Sequence, residues 1–143
     1  MAEQESPFCN CLYFSANSLA RCVSRIAEDA FAKTGLAPSY AYVLQIVLSK
    51  PGIAQKEIGQ TMMLTPSTIT RFIDKLAYKG YICRKVEGKN SYIYATSKGK
   101  SLAPELEHAM QELNDAYGKI LGDTEVCELS QKIYQTTISL EPS

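Results

Sequence analysis

The chain has 143 residues, the size of one domain or of a small lobe with an oligomerisation arm, and 45% of them are hydrophobic, which excludes a disordered tail. Its 15 basic and 15 acidic side chains cancel, but unevenly along the chain. No run of the ~20 apolar residues that a bilayer span needs is present. The first residues carry acids where a secretory signal carries basic groups, and the five cysteines lack the spacing of a disulfide framework. The composition therefore predicts a cytoplasmic location and no membrane partner.

Charge divides the chain in three. Residues 36–100 carry ten basic groups against three acidic ones, a net of +7, between a net of −1 over 1–35 and −6 over 101–143. A phosphate backbone selects for a basic block of this kind. A solvated surface with chance asymmetry would give the same count, so the motifs must decide.

From about Cys11 to Lys33 no Gly or Pro interrupts the chain, and Leu12, Leu19, Cys22, Val23, Ile26, Ala27 and Phe31 fall mostly at helical spacing. This predicts one long amphipathic helix, stopped by Gly35. Pro38 opens a second helix to about Ser49 with Val43, Ile46 and Val47 inward, and Pro51-Gly52 is a turn. A short helix over about 54–61 is anchored by Ile58, and Met62-Met63-Leu64 is a compact apolar link. Thr65 then caps a helix with Pro66 as its first residue. The apolar stripe of that helix is Ile69, Phe72, Ile73 and Leu76, and Gly80 ends it.

Beyond Gly80 the period changes. Ile82, Arg84 and Val86 alternate, as do Tyr92, Tyr94 and Thr96, with Glu87-Gly88-Lys89-Asn90 as turn chemistry between them. This predicts a two-stranded hairpin. Thr96 or Ser97 caps a long helical segment with a seam of Leu102, Leu106, Ala109, Leu113, Tyr117 and Ile120. Gly122-Asp123 breaks it and starts a last helix with Val126, Leu129 and Ile133 inward.

The unit that carries chemistry is 54–96: short helix, tight turn, helix, hairpin. In a helix-turn-helix the second helix enters the major groove, so it needs one apolar stripe and an opposite face of hydrogen-bonding groups. Here that face offers Ser67, Thr68, Thr70, Arg71 and Lys75, with the cap Thr65 at its start. Arg71 is the residue suited to bidentate contact with guanine. The hairpin would be the wing, bringing Arg84, Lys85, Lys89 and Asn90 to phosphates or the minor groove. An ordinary capped amphipathic helix would show the same stripe. The ordered set inside the basic block is more specific. The fold class expected is mainly α with a small β-hairpin wing: a winged helix-turn-helix lobe over 36–100, an N-terminal arm and dimerisation helix over 1–35, and C-terminal dimerisation helices over 101–143.

Gly35-Leu36-Ala37-Pro38-Ser39, Gln55 to Gly59, Thr65 to Arg71, Leu76 to Gly80 and Thr96-Ser97-Lys98-Gly99, in this order and spacing, resemble the MarR family through nearly the whole chain. The resemblance implies a homodimeric winged-helix regulator, mostly of the repressor kind, on a palindromic double-stranded operator. It also implies terminal helices that make the dimer, and release by a small ligand or an oxidised cysteine. One stretch departs from the family. Its wing is usually longer and carries an Asp-Arg pair, whereas the tip here is Glu87-Gly88-Lys89-Asn90-Ser91, so Lys89 or Asn90 would have to take the place of the groove-entering arginine.

Cys9 and Cys11 form a C-x-C pair at the start of the first helix, where a thiolate is stabilised and oxidises readily. Redox sensing, metal binding and inert packing are the readings open for them. Hydroperoxide-sensing members of the family are similar, with a reactive cysteine early in helix one near tyrosines. Tyr13, Tyr40 and Tyr42 could serve in that role here, although no gapless alignment joins them to the cysteine. The same tyrosines are candidates for an effector pocket holding a small aromatic ligand. Cys83 and Cys127 read as packing, and the single His108 as a seam or surface residue. No metal site, cofactor or catalytic set is expected: no phosphate loop and no His or Asp partner for a nucleophile is present. Two other functions remain to be separated from DNA-binding regulation. One is a winged-helix interaction module without DNA binding, and the other a thiol-dependent, peroxide-reactive enzyme.

Overall fold

The structure is a computed structural model and describes residues 5–142. The chain divides into two compact units, one of Phe31–Ala109 and the other of the residues up to Ala30 together with those from Met110 on.

The first unit is a winged lobe. The end of α1 (Leu12–Phe31) and a 3-10 turn lead through Gly35, whose φ of 77° favours a residue without Cβ, into α2 (Pro38–Ser49). β1 (Ile53–Ala54), α3 (Gln55–Thr61) and α4 (Pro66–Tyr78) follow, then β2 (Ile82–Glu87), β3 (Asn90–Ala95) and α5 (Ser97–Ser101). Phe31, Leu44, Val47, Ile58, Ile69, Ile73, Leu76, Ile82 and Ile93 are buried and form the core of the lobe. The stripe expected on α4 is thus the stripe that packs, with Phe72 at its half-exposed edge. On α2 the buried set is Ala41, Val43, Leu44 and Val47, so Leu44 takes the place expected of Ile46.

The sheet has three antiparallel strands in the order β1-β3-β2, one more than the expected hairpin. β1 is two residues long, with Ile53 opposite Ile93 and Ala54 opposite Tyr92. β2 and β3 pair from Ile82 opposite Ala95 to Glu87 opposite Asn90. The loop is Gly88-Lys89, with Gly88 at φ 61° in the first position, as a two-residue turn of primed type requires. The buried residue of β3 is Ile93, between the alternating tyrosines, and on β2 only Ile82 is buried. The wing therefore stands on two inward side chains at its base.

The second unit contains most of α1 and of α6 (Ala103–Leu121), and α7 (Asp123–Leu140). Tyr117 donates its hydroxyl proton to the carbonyl of Val23 at 3.2 Å, which ties α6 to α1. Gly122, at φ 88°, separates α6 from α7 as expected. The inward face expected on α7 is not covered within the chain: no residue of α7 is buried, and Leu129 and Ile133 are 38% and 43% exposed. Ile120, at the end of the expected seam, is exposed as well. No helix among the described residues is long and apolar enough to cross a membrane.

Candidate nucleic-acid interface

The site is built on α3, the turn after it, α4 and the wing. The turn is a Schellman closure: the Leu64 N–H donates to the Gly59 carbonyl at 3.0 Å and the Met63 N–H to the Gln60 carbonyl at 3.1 Å. Met63 takes the left-handed position at φ 56°, where glycine is usual. The exit of α4 is the same motif with glycine in place, from Tyr81 N–H to Leu76 and Gly80 N–H to Ala77.

Thr65 caps α4 by accepting the Thr68 N–H at 3.3 Å, and its hydroxyl donates to Thr68 Oγ1 at 2.9 Å. Ser67 Oγ lies 3.3 Å from the same Thr65 oxygen. Thr70 donates to the Pro66 carbonyl at 2.9 Å and accepts from Gln55 Nε2 at 3.1 Å. Arg71 is exposed and has no hydrogen bond or ion pair among the described residues. Lys75 lies over the Tyr40 ring, 5.1 Å from its centroid, and Tyr40 stacks on Phe72 at 4.4 Å. The threonines at the start of α4 are thus tied into its cap, whereas Arg71 projects unpaired.

On the wing, Arg84 is paired with Asp74 of α4. Lys85 lies 3.5 Å from Glu87 on the same strand, and Lys89 stands exposed in the two-residue loop beside Asn90. α4 and the wing are thus joined by an ion pair. Neither Asp74 nor Gln55 was expected in the site. An acid three residues after Arg71 on a basic helix was the available signal for Asp74; Gln55 gave none, because its partner lies fifteen residues away.

The Thr96-Ser97-Lys98-Gly99 stretch holds the base of the wing. Thr96 donates to the Gly80 carbonyl at 2.5 Å and caps α5 by accepting from Gly99 N–H at 3.2 Å. Lys98 donates to the Lys79 carbonyl at 2.7 Å and covers the Tyr81 ring at 4.6 Å, placing a cation at the C-terminus of α4.

The candidate regulatory residues are spread over both units. Cys9 and Cys11 precede α1 and are exposed; Cys83 and Cys127, expected to pack, are exposed as well. Tyr13 is exposed on α1, whereas Tyr40 and Tyr42 belong to α2 in the winged lobe. Tyr42 is half-buried, edge-on to Phe31 with ring centroids 5.8 Å apart, and burial raises its phenol pKa above the ordinary value.

A helix-turn-helix followed by a hairpin and flanked by long helices defines a winged helix-turn-helix fold. The family model of the MarR family matches residues 38–87. No curated protein matches the sequence. Among solved structures, the chain resembles the PcaV transcriptional regulator from Streptomyces coelicolor in complex with its natural ligand, at 20% identity over 99% of this chain and 100% of that one, with a TM-score of 0.83. It resembles the transcriptional repressor CouR bound to a 23-mer DNA duplex at 19% identity over 95% and 99%, with a TM-score of 0.82. A MepR–DNA complex from S. aureus matches at 15% identity over 96% and 100%, with a TM-score of 0.77. The sequence likeness to the MarR family thus extends over residues 38–87, and the likeness over nearly the whole chain to these solved structures is one of fold.

Proposed function

We propose that this chain is a transcriptional repressor that binds a palindromic double-stranded operator as a homodimer. The observation that carries the reading is α4: a capped helix on whose exposed face Arg71 stands beside a basic wing with no hydrogen bond or ion pair among the described residues. Arg71 would read a base, Lys89 and Lys85 would meet phosphates, and Ser67 and Thr68 would approach the backbone at the helix start. The DNA complexes of CouR and MepR support the partner class, and the regulators that the chain resembles support a role in regulation rather than catalysis. The winged lobe over 36–100 would carry DNA binding, and the arms over 1–35 and 101–143 the dimer. The uncovered apolar residues of α7 support that division.

The test is a gel shift on the DNA upstream of the protein's own gene, at several salt concentrations. A steep fall in affinity with salt and competition by specific sequence are expected. Binding that is absent at low salt would leave an interaction module without DNA.

For release we propose a small ligand, a class that the complex of PcaV with its natural ligand supports, and we take it to be an aromatic one held at Tyr40 or Tyr42. A second reading is favoured by the exposure of Cys9 and Cys11, with oxidation of either thiol lowering operator affinity. A Cys9→Ser, Cys11→Ser double variant that still loses DNA under peroxide would exclude this second reading.

A further inference from the structure

The hydroxyl groups on α4 are not equivalent. A threonine hydroxyl has one proton and two lone pairs. That of Thr70 gives its proton to the Pro66 carbonyl at 2.9 Å. Because that proton is committed, the group of Gln55 that faces it must be the amide N–H2, and Gln55 Nε2 lies 3.1 Å away as a donor. Thr70 has no proton left for a base acceptor such as N7 or O6. It retains its methyl group and one lone pair. Thr68 is the contrast: its oxygen accepts from Thr65 at 2.9 Å, and its own proton stays available.

On this exposed residue the spent proton leaves a methyl suited to the C5-methyl of thymine and one lone pair that only the amino group of adenine or cytosine could use. We infer that Thr70 recognises a thymine methyl and that Gln55, at the start of α3, is the residue that positions it. The two bonds hold the Thr70 hydroxyl from both sides, so the side chain cannot turn its oxygen to the groove without losing one of them. α3 thereby contributes to specificity through a residue outside the recognition helix. The inference rests on the reading of the chain as a sequence-specific DNA binder.

The experiment first selects the preferred duplex from a randomised pool with the full-length protein. Each thymine of that duplex is then replaced by deoxyuridine, which removes only the methyl. Loss of one buried methyl should weaken wild-type binding about four-fold at one thymine per half-site. Thr70→Val keeps a methyl there and should retain the sensitivity. Thr70→Ser should bind thymine and uracil alike at that position, and Gln55→Ala should reduce the discrimination there while leaving other positions unchanged. Thr68→Val should lose affinity without altering the uracil effect.

If no thymine shows a uracil effect that depends on Thr70, the inference is overturned. Full sensitivity in Gln55→Ala would remove the positioning role. A pool from which the wild type enriches no sequence would overturn the proposed function itself, an outcome distinct from a selected duplex without a methyl effect.

Discussion

A side chain at position 99 has nowhere to go. A Cβ built there would overlap the carbonyl oxygen of Tyr81, which already accepts the Thr96 N–H at 3.0 Å. Backbone, not a flexible side chain, is the obstacle, so Gly99→Ala must move the base of the wing. It should cost about 1–3 kcal/mol, read as a lowered unfolding midpoint; an unchanged midpoint would show that α5 shifts freely. Met63 poses the opposite case, a side chain where glycine is preferred. Met63→Gly should leave stability unchanged or raise it by up to about 1 kcal/mol, while β-branched Met63→Val should lower it by about 1–2 kcal/mol. Equal effects of the two in denaturant titrations would remove the claim of strain. Tyr42 has a pH signature of its own. Burial holds its phenol protonated above the ordinary 10.0, so the unfolded chain ionises first as pH rises. The resulting stability is fully present below about 10 and is lost as pH climbs through the folded value. Tyr42→Phe should flatten the alkaline limb of a stability–pH curve.

At the scale of elements, α4 and the wing act together. Only Ile82 of β2 is buried, so the wing is anchored at its base and by the pair from Arg84 to Asp74. Both partners are partly exposed, and such pairs contribute at most about 1 kcal/mol to stability. Arg84→Ala should therefore hardly change the unfolding midpoint. Arg71 and Lys89 are expected to differ in kind. Arg71→Ala should weaken operator binding by about 1–3 kcal/mol and relax base preference. Lys89→Ala should weaken all sequences alike and reduce the salt slope by about one. Titrations against operator and random duplex at several salt concentrations separate the two; an Arg71→Ala variant with unchanged affinity would mean that another residue reads the base.

At the scale of the whole molecule, the apolar residues left uncovered lie chiefly in the unit that contains α7. Leu129, Ile133, Ile138 and Leu140 are exposed on that helix, and Leu12, Leu19 and Ile120 elsewhere in the same unit. A second copy of the chain is the occupant that the proposed function requires, because a two-fold reader needs half-sites about 34 Å apart. Light scattering should give a dimer at micromolar concentration. Ile133→Asp should yield folded monomers, since Ile133 is 43% exposed within the chain. Leu113→Asp should instead unfold the subunit, because Leu113 is 3% exposed there. A folded monomer from wild type would overturn the dimer.

Much of the winged lobe was legible in the residues because local physics decides it. Thr65-Pro66 caps α4, Gly80 closes it, Gly88 turns the hairpin and the stripe from Ile69 to Leu76 packs, all as short-range spacing predicts. Cap, turn and helical period depend on neighbours within a few residues, so one sequence is enough to read them. β1 was invisible because two residues have no period, and only pairing with Ile93, forty positions away, makes them a strand. Separation along the chain also hid the partners of the site. Arg84 meets Asp74, Lys75 covers Tyr40 and Gln55 holds Thr70 only after α3, α4 and the wing have packed. The sequence alone determined which residues face outward with charge. Which of those charges and hydroxyls are already spent on one another was decided by the tertiary structure, because a hydrogen bond or ion pair across elements exists only once the chain has closed the loop between them.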